Sequence, residues 1–163
     1  MIGSTALKLL AELDAKIYVG FGRLQEKLHL YPIARALSFT GDGYFYVLLA
    51  TIATYFSPEV ATKLWISALA AFAVELPLYW ILKKYFRRQR PYVVVTALER
   101  IHIPSDEFSF PSGHSTAAFL MAYLVSHFFP PLTLFMYSWA LMIAFSRVLL
   151  RVCLLYTSDA ADD

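Results

Sequence analysis

Four apolar runs, each close to the length of a membrane span, occupy most of the chain after residue 35. They cover residues 36–56, 64–82, 112–129 and 132–152. A helix needs about 20 apolar residues to cross the hydrocarbon core of a bilayer. Asp42 is the single charge in the first run, Glu75 and Pro77 interrupt the second, and Pro130-Pro131 separates the last two. The pattern predicts an all-α, polytopic membrane bundle with four hydrophobic helices.

The first 28 residues follow a different pattern, in which apolar side chains recur at helical spacing among charged ones. The apolar positions are Leu7, Leu10, Leu13, Ile17, Phe21, Leu24 and Leu28. Glu12 and Asp14 interrupt the apolar core that a cleavable signal peptide requires. We therefore expect an amphipathic helix that lies in the membrane interface. An ordinary helix packed against the bundle is the alternative.

Composition supports the membrane class and limits the partners. The 163 residues suit one domain, 59% of them are hydrophobic, and only 16% are charged. The single cysteine, Cys153, supports neither a disulfide framework nor a zinc site, and no metal-ligand cluster is visible. Basic residues cluster between Lys83 and Arg90, directly against a span. This position favours the lipid bilayer over nucleic acid as partner, and it indicates either a cytoplasmic loop or a substrate site.

Two short motifs carry the candidate chemistry. Lys83, Arg90 and Pro91 follow the spacing Lys-x₆-Arg-Pro, and residues 111–115 read Pro-Ser-Gly-His-Ser. A phosphate ester is negatively charged, and its transfer is catalysed mainly by positioning and electrostatics. Guanidinium and ammonium groups supply the charge that such a site needs. Taken alone, Lys83 and its neighbours would be anchors that snorkel at a helix end.

The second motif has the features of a helix start that binds an anion. Ser112 precedes an apolar run, as an N-cap residue does. Gly113 lets the backbone approach a ligand closely, and N–H groups at a helix N-terminus bind phosphate. His114 falls in the first turn, where it is placed to act as a general acid near neutral pH. Taken separately, these residues would indicate an ordinary helix start and an interface histidine.

Arg147 adds a third cation. It lies deep in the fourth apolar run, and an arginine within a span costs a few kcal/mol unless it faces a polar cavity or a partner. Arg147, which follows Ser146, is the better candidate for a phosphate ligand. Arg151 lies one turn later on the same face, and pairing with Glu75 or a place at the interface is an equal alternative for it.

These motifs resemble those of the type 2 phosphatidic acid phosphatase and vanadium haloperoxidase superfamily. Its first signature, Lys-x₆-Arg-Pro, matches residues 83–91, and its second, Pro-Ser-Gly-His, matches residues 111–114. The third, Ser-Arg-x₅-His-x₃-Asp, matches only at Ser146 and Arg147. The resemblance covers residues 36–152, and the membrane branch is favoured because haloperoxidases are soluble.

The resemblance implies a phosphatase that uses no metal or other cofactor and works through a phosphohistidine intermediate. His114 would protonate the leaving alcohol. The phosphate-binding residues that it implies are Lys83, Arg90, Ser112, Gly113 and Arg147. The nucleophilic histidine should occupy position 153 and its orienting aspartate position 157, where this chain has Cys153 and Thr157. The polypeptide as written is therefore expected to be inactive or nearly so.

The departure coincides with an unusual C-terminal segment. Residues 153–163 read CLLYTSDAADD, which is similar to the translation of a transposase adapter used to prepare sequencing libraries. We expect residues 1–152 to be an incomplete lipid phosphatase membrane domain and residues 153–163 to be a non-native tail. A genuine short acidic terminus is the alternative, and sequencing the locus beyond codon 152 distinguishes the two.

The expected native function is hydrolysis of a lipid phosphate or polyprenyl diphosphate. Phosphatidic acid, phosphatidylglycerol phosphate and undecaprenyl diphosphate remain open as substrates. A lipid phosphotransferase and a non-catalytic protein that binds lipid phosphate are the alternatives. By resemblance to bacterial relatives, the protein is expected in the inner membrane, with the active site facing away from the cytoplasm. The connection 84–111, which contains Asp106 and Glu107, is expected at the membrane surface over that site.

Overall fold

The computed structural model describes residues 16, 19–21, 23–87 and 110–150. After a short helical stretch at 23–27, five helices follow in these ranges. They are α1 (Tyr31–Thr40), α2 (Gly43–Phe56), α3 (Pro58–Phe86), α4 (Gly113–Phe128) and α5 (Thr133–Leu149), with a 3₁₀ turn at Pro130–Leu132 before α5. The described residues contain no strand. The all-α prediction is confirmed.

The helices pack in an order that brings distant parts of the chain together. The pair α4 and α5 forms the most extensive contact, and α1 also packs on α5. On the other side, α3 lies between α2 and α4. The largest fully buried apolar side chains are Leu64, Met121, Met136 and Ile143. Small side chains let the helix backbones approach one another, as is usual between membrane helices. The buried alanines are Ala34, Ala50, Ala61, Ala68, Ala118, Ala122 and Ala140.

Large apolar side chains also cover the outside of the bundle. On α3 they include Ile66, Val74, Leu78 and Ile81, each at least half exposed, and only 11% of its most apolar 18-residue stretch is buried. In water such a surface would be unfavourable, whereas hydrocarbon tails accept it. Together with their length and hydropathy, this exposure marks Pro58–Phe86 and Pro130–Leu149 as candidate membrane spans. The chain is an integral membrane protein.

The first predicted span is not one straight helix. The run 36–56 is divided into α1 and α2, which meet at a bend of 54°. The chain leaves the helix at Gly41, and Asp42 takes an extended backbone conformation, with φ −77° and ψ 152°. Counting this bent pair as one span gives up to three spans in the described residues. The apolar pattern did not predict the break, because the apolar run continues on both sides of it.

The other predicted spans differ in length from the helices found. The second is longer than predicted, since α3 covers Pro58–Phe86, and Pro77 lies within it without ending it. The third contains a helix of 16 residues, Gly113–Phe128. In the fourth, the helix ends at Leu149 and Leu150 lies in a turn, while residues 151 and 152 lie outside the described residues. Most of the N-terminal amphipathic helix, the connection over the site and the tail at 153–163 lie outside the described residues, so those expectations stay predictions.

Candidate phosphate site

The N-terminus of α4 is built by the second motif. Ser112 is the N-cap residue, as its position predicted, with an extended backbone and a side chain that accepts from the Ser115 backbone N–H at 3.4 Å. The Ser115 hydroxyl donates to the same Ser112 oxygen at 3.0 Å. Gly113 begins the helix. The first-turn N–H groups of α4 therefore sit beside a serine hydroxyl, an arrangement that binds anions in many proteins.

His114 is paired with a residue from the bend of the first span. Its Nε2 lies 2.8 Å from Oδ1 of Asp42, and the two side chains are 34% and 35% exposed. Asp42 is the single charge of the first apolar run, and no role was predicted for it from the sequence. A charged residue in a membrane segment is a functional signal in general. Its partner followed only from the packing of the helices.

Lys83 is buried rather than extended toward solvent. It is 3% exposed, and its ammonium group donates to the hydroxyl of Tyr79, one helical turn earlier on α3. The nitrogen also lies 4.7 Å from the centre of the Tyr79 ring. A snorkelling lysine would place its charged end in water. The burial of Lys83 therefore argues against the interfacial-anchor interpretation.

Tyr79 connects the first motif to the second. A β-carbon at Gly113 would lie 3.3 Å from Cε2 of the Tyr79 ring and 3.6 Å from its hydroxyl oxygen. Gly113 thus lets the Tyr79 ring of α3, which contacts Lys83, lie close to the start of α4. Tyr79 was missed by sequence reasoning, because a tyrosine in a membrane helix is common and gives no distinctive signal.

Arg147 is held by α1. One terminal nitrogen, Nη1, donates to the hydroxyl of Ser38 at 2.7 Å, and Ser38 is 5% exposed. The Nε–H group of Arg147 is buried and has no hydrogen-bond partner in the described part of the chain. A buried donor on a cation is costly unless an acceptor satisfies it. This is the kind of group that a phosphate oxygen would satisfy.

A cavity of about 450 Å³ lies beside His114, which forms part of its lining. Its polar lining is confined to a few residues, among them Asp42, Glu75 and His114. Apolar side chains from α2, α3 and α4 line most of the rest, including Val47, Ala50, Trp65, Ala68, Leu69, Phe72, Leu76, Ala117 and Met121. This size and composition are typical of a pocket for an apolar ligand with one polar end.

Glu75 faces this cavity and is bonded to α4. Its Oε1 accepts from the Thr116 hydroxyl at 2.8 Å, which ties α3 to the first turn of α4. The alternative in which Arg151 pairs with Glu75 is not tested, because residue 151 lies outside the described residues. The same holds for Arg90, Cys153 and Thr157. Among the described residues, no three His, Cys, Asp or Glu side chains are grouped so that they would hold a metal ion.

The fold and these contacts define a class of helical membrane protein with a serine, glycine and histidine motif at the start of one helix, a buried lysine on a second and an arginine on a third. The chain belongs to the PAP2 superfamily, whose family model matches residues 43–153. The family predicted from the motifs is therefore confirmed. A solved structure is also similar: the first transmembrane PAP2 type phosphatidylglycerolphosphate phosphatase from Bacillus subtilis. It matches with a TM-score of 0.67 and 21% identity over 90% of this chain and 76% of that chain, which shows a shared fold.

Proposed function

We propose that this chain carries the site of a membrane phosphatase that hydrolyses a lipid phosphate or polyprenyl diphosphate. The observation that carries the proposal is the place of His114, in the first turn of α4 and on the wall of a cavity that is otherwise mostly apolar. A proton donor at the polar end of such a cavity suits a substrate whose leaving alcohol bears a hydrocarbon chain. Membership of the PAP2 superfamily and the phosphatase with the same fold support the reaction class.

In this proposal the phosphate group is held by charge and by hydrogen bonds. Two of the proposed phosphate-binding cations, Lys83 and Arg147, lie in the described part of the chain, and Arg90 supplies a further guanidinium group. The Ser112 hydroxyl and the Gly113 backbone N–H complete the set. Because the charge of phosphoryl transfer is spread over the phosphate oxygens, several fixed donors stabilise the transition state together. His114 gives its proton to the ester oxygen as the P–O bond breaks.

The attacking group in this family pattern is a histidine, for which position 153 is the expected place. Here that position holds Cys153, and Thr157 stands where the orienting aspartate is expected. This departure favours a second candidate function for the chain as written, which is binding of a lipid phosphate without turnover. Both candidates use the same cations, and they differ in the attacking group alone.

We also propose the substrate range and the location. Phosphatidic acid, phosphatidylglycerol phosphate and undecaprenyl diphosphate all combine a terminal phosphate with a long apolar chain. The site is proposed to face away from the cytoplasm in a bacterial inner membrane. Under the positive-inside rule, the basic cluster near Lys83 would predict the opposite orientation. Cations that bind substrate, however, are not evidence for the side of the membrane on which a loop lies.

The test uses a motif-completed chain, in which Cys153→His and Thr157→Asp restore the third signature. We expect this variant, in mixed micelles, to release phosphate from phosphatidic acid faster than the chain as written. Adding His114→Ala should reduce kcat by about 10²- to 10⁴-fold, the usual contribution of a general acid. Phosphate release and lipid binding are measured on the same preparations.

His127→Ala is the matched control, since His127 lies at the exposed end of the same helix, away from the cavity. It should leave phosphate release unchanged. Equal turnover with and without His114 would refute its role as general acid. Turnover by the chain as written at the rate of the motif-completed chain would exclude the binding-only candidate.

A further inference from the structure

The bend of the first span carries a carboxylate that is not used locally. Asp42 is the N-cap residue of α2, and aspartate at this position commonly accepts a hydrogen bond from the first helical turn. In this helix the Asp42 side chain makes no capping bond. Its Oδ1 is bonded to Nε2 of His114 on α4 instead, at 2.8 Å. The Asp42 side chain therefore contacts the proposed proton donor instead of capping its own helix.

The backbone that carries Asp42 is fixed from several sides. The buried hydroxyl of Tyr46 donates to the Gly41 carbonyl at 2.8 Å. The indole N–H of Trp139 on α5 donates to the Thr40 hydroxyl at 3.0 Å. Gly41 itself packs so tightly on Ile143 that an added β-carbon would lie 3.0 Å from Cγ2. These contacts hold the carboxylate in place without any contribution from a substrate.

The same short segment also holds the third motif. Ser38, one helical turn before Asp42, accepts from Nη1 of Arg147 on α5. Residues 38–42 therefore touch one motif residue on α4 and another on α5. The family match begins at residue 43, so this segment lies outside the matched range.

We infer that Asp42 is a positioning residue for the general acid of the phosphatase, an inference that rests on the proposed function. Its carboxylate accepts from Nε2 and holds a proton at that atom, which fixes the orientation of the ring toward the cavity. In the step itself, the P–O bond breaks, its electron pair goes to the ester oxygen, and the proton on Nδ1 of His114, the ring nitrogen that Asp42 does not hold, goes to that oxygen. Asp42 keeps its negative charge throughout, and before the transfer that charge stabilises the protonated ring of His114.

The test compares two substrates whose leaving groups differ in their need for a proton. In the motif-completed chain, Asp42→Asn should lower kcat for phosphatidic acid by about 10- to 100-fold, a part of the general-acid contribution, with little change in KM. With para-nitrophenyl phosphate, whose phenolate leaves without protonation, kcat should fall less than about 3-fold. A merely structural role for Asp42 would lower both rates by the same factor. Glu59→Gln, which removes an exposed carboxylate at the start of α3, is the matched control and should change neither rate.

A second measurement needs no turnover. In the chain as written, labelled with ¹⁵N-histidine and assigned by His114→Gln, Nε2 of His114 should carry a proton with the signature of a hydrogen bond. Asp42→Asn should weaken that signature, because a neutral amide oxygen accepts less strongly than a carboxylate, and Glu59→Gln should leave it unchanged. An Nε2 without a hydrogen-bonded proton in the unsubstituted chain would overturn the inference even if Asp42→Asn failed to fold.

The two proposals fail in different ways. If the motif-completed chain released no phosphate, the proposed function would fall, and the histidine spectrum would still decide the contact. If it released phosphate and Asp42→Asn slowed both substrates equally or neither, the phosphatase would stand. The positioning role of Asp42 would then be excluded.

Discussion

Lys83 shows how one side chain decides between two interpretations of a basic cluster. Four neighbouring basic residues follow it within seven positions, and all of them would serve equally well as interfacial anchors. Only the structure separates Lys83 from Lys84, because the first is buried against Tyr79 and the second is exposed. Burial of an ammonium group is costly unless it is compensated by polar partners. Tyr79 compensates part of that cost, and a bound phosphate would compensate more.

This difference predicts an unequal effect of two neighbouring substitutions. Lys83→Met should weaken the binding of inorganic phosphate by about 10- to 100-fold, because a hydrogen bond to a charged group contributes about 1.5–3 kcal/mol. Lys84→Met removes the same charge one position later and should weaken binding less than about 2-fold, since exposed charges contribute little. Calorimetric titration of the chain in detergent measures both constants. Equal losses would show that the cluster acts through its overall charge.

At the scale of helices, the break between α1 and α2 places two residues of the first span against two different helices. It turns the chain by 54°, so that α1 packs on α5 while α2 packs on α3. Asp42 and Ser38 are thereby brought to α4 and α5 respectively. A straight helix over residues 36–56 would carry these two side chains along one continuous surface. The bend lets each of them reach a different motif.

Two nearby glycines provide a matched test of this packing. A β-carbon at Gly41 would lie 3.0 Å from Ile143 Cγ2 and 3.1 Å from the Ser38 carbonyl oxygen, whereas at Gly43 it would meet nothing within 4 Å. Gly41→Ala should therefore destabilise the protein by about 1–3 kcal/mol, the usual cost of overpacking. Gly43→Ala should be neutral or slightly stabilising, because it lies in the first turn of α2.

Thermal unfolding in detergent micelles measures this pair. The variant Gly41→Ala/Ile143→Ala removes the side chain that clashes, and it should lose less stability than the sum of its two single variants. Equal stability of Gly41→Ala and Gly43→Ala would show that the bend accommodates a β-carbon at Gly41 without loss of stability. Strict additivity in the double variant would show that Ile143 is not the obstacle.

For the whole molecule, α3 sets the topology. It has 29 residues and is long and apolar enough to cross a membrane. Glu59 lies at one end and Lys84 at the other. We expect cysteines placed at these two positions, in a Cys153→Ser background, to react with a membrane-impermeant thiol reagent from opposite sides of sealed vesicles. Labelling from one side only would exclude α3 as a span, and labelling of position 84 from the cytoplasmic side would refute the proposed orientation.

The sequence could predict those parts of the fold and site that depend on neighbouring residues. Apolar runs of span length gave the all-α membrane class, and Ser112 was placed correctly at a helix start because capping is a local property. The two motifs led to the correct superfamily. The break at Gly41 was not predicted, because the apolar run continues across it and gives no local signal of a bend.

By itself, the sequence determined that this protein is a membrane bundle of the PAP2 superfamily with a motif of cations, serine, glycine and histidine. Tertiary structure decided which side chains those residues touch. Asp42 reaches His114, Ser38 reaches Arg147, and Tyr79 lies against both Lys83 and the start of α4 only because α1 packs on α5 and α3 packs on α4. Local patterns fix where a helix begins and what it contains. Contacts between helices depend on how their surfaces fit together, and no single stretch of sequence contains that information.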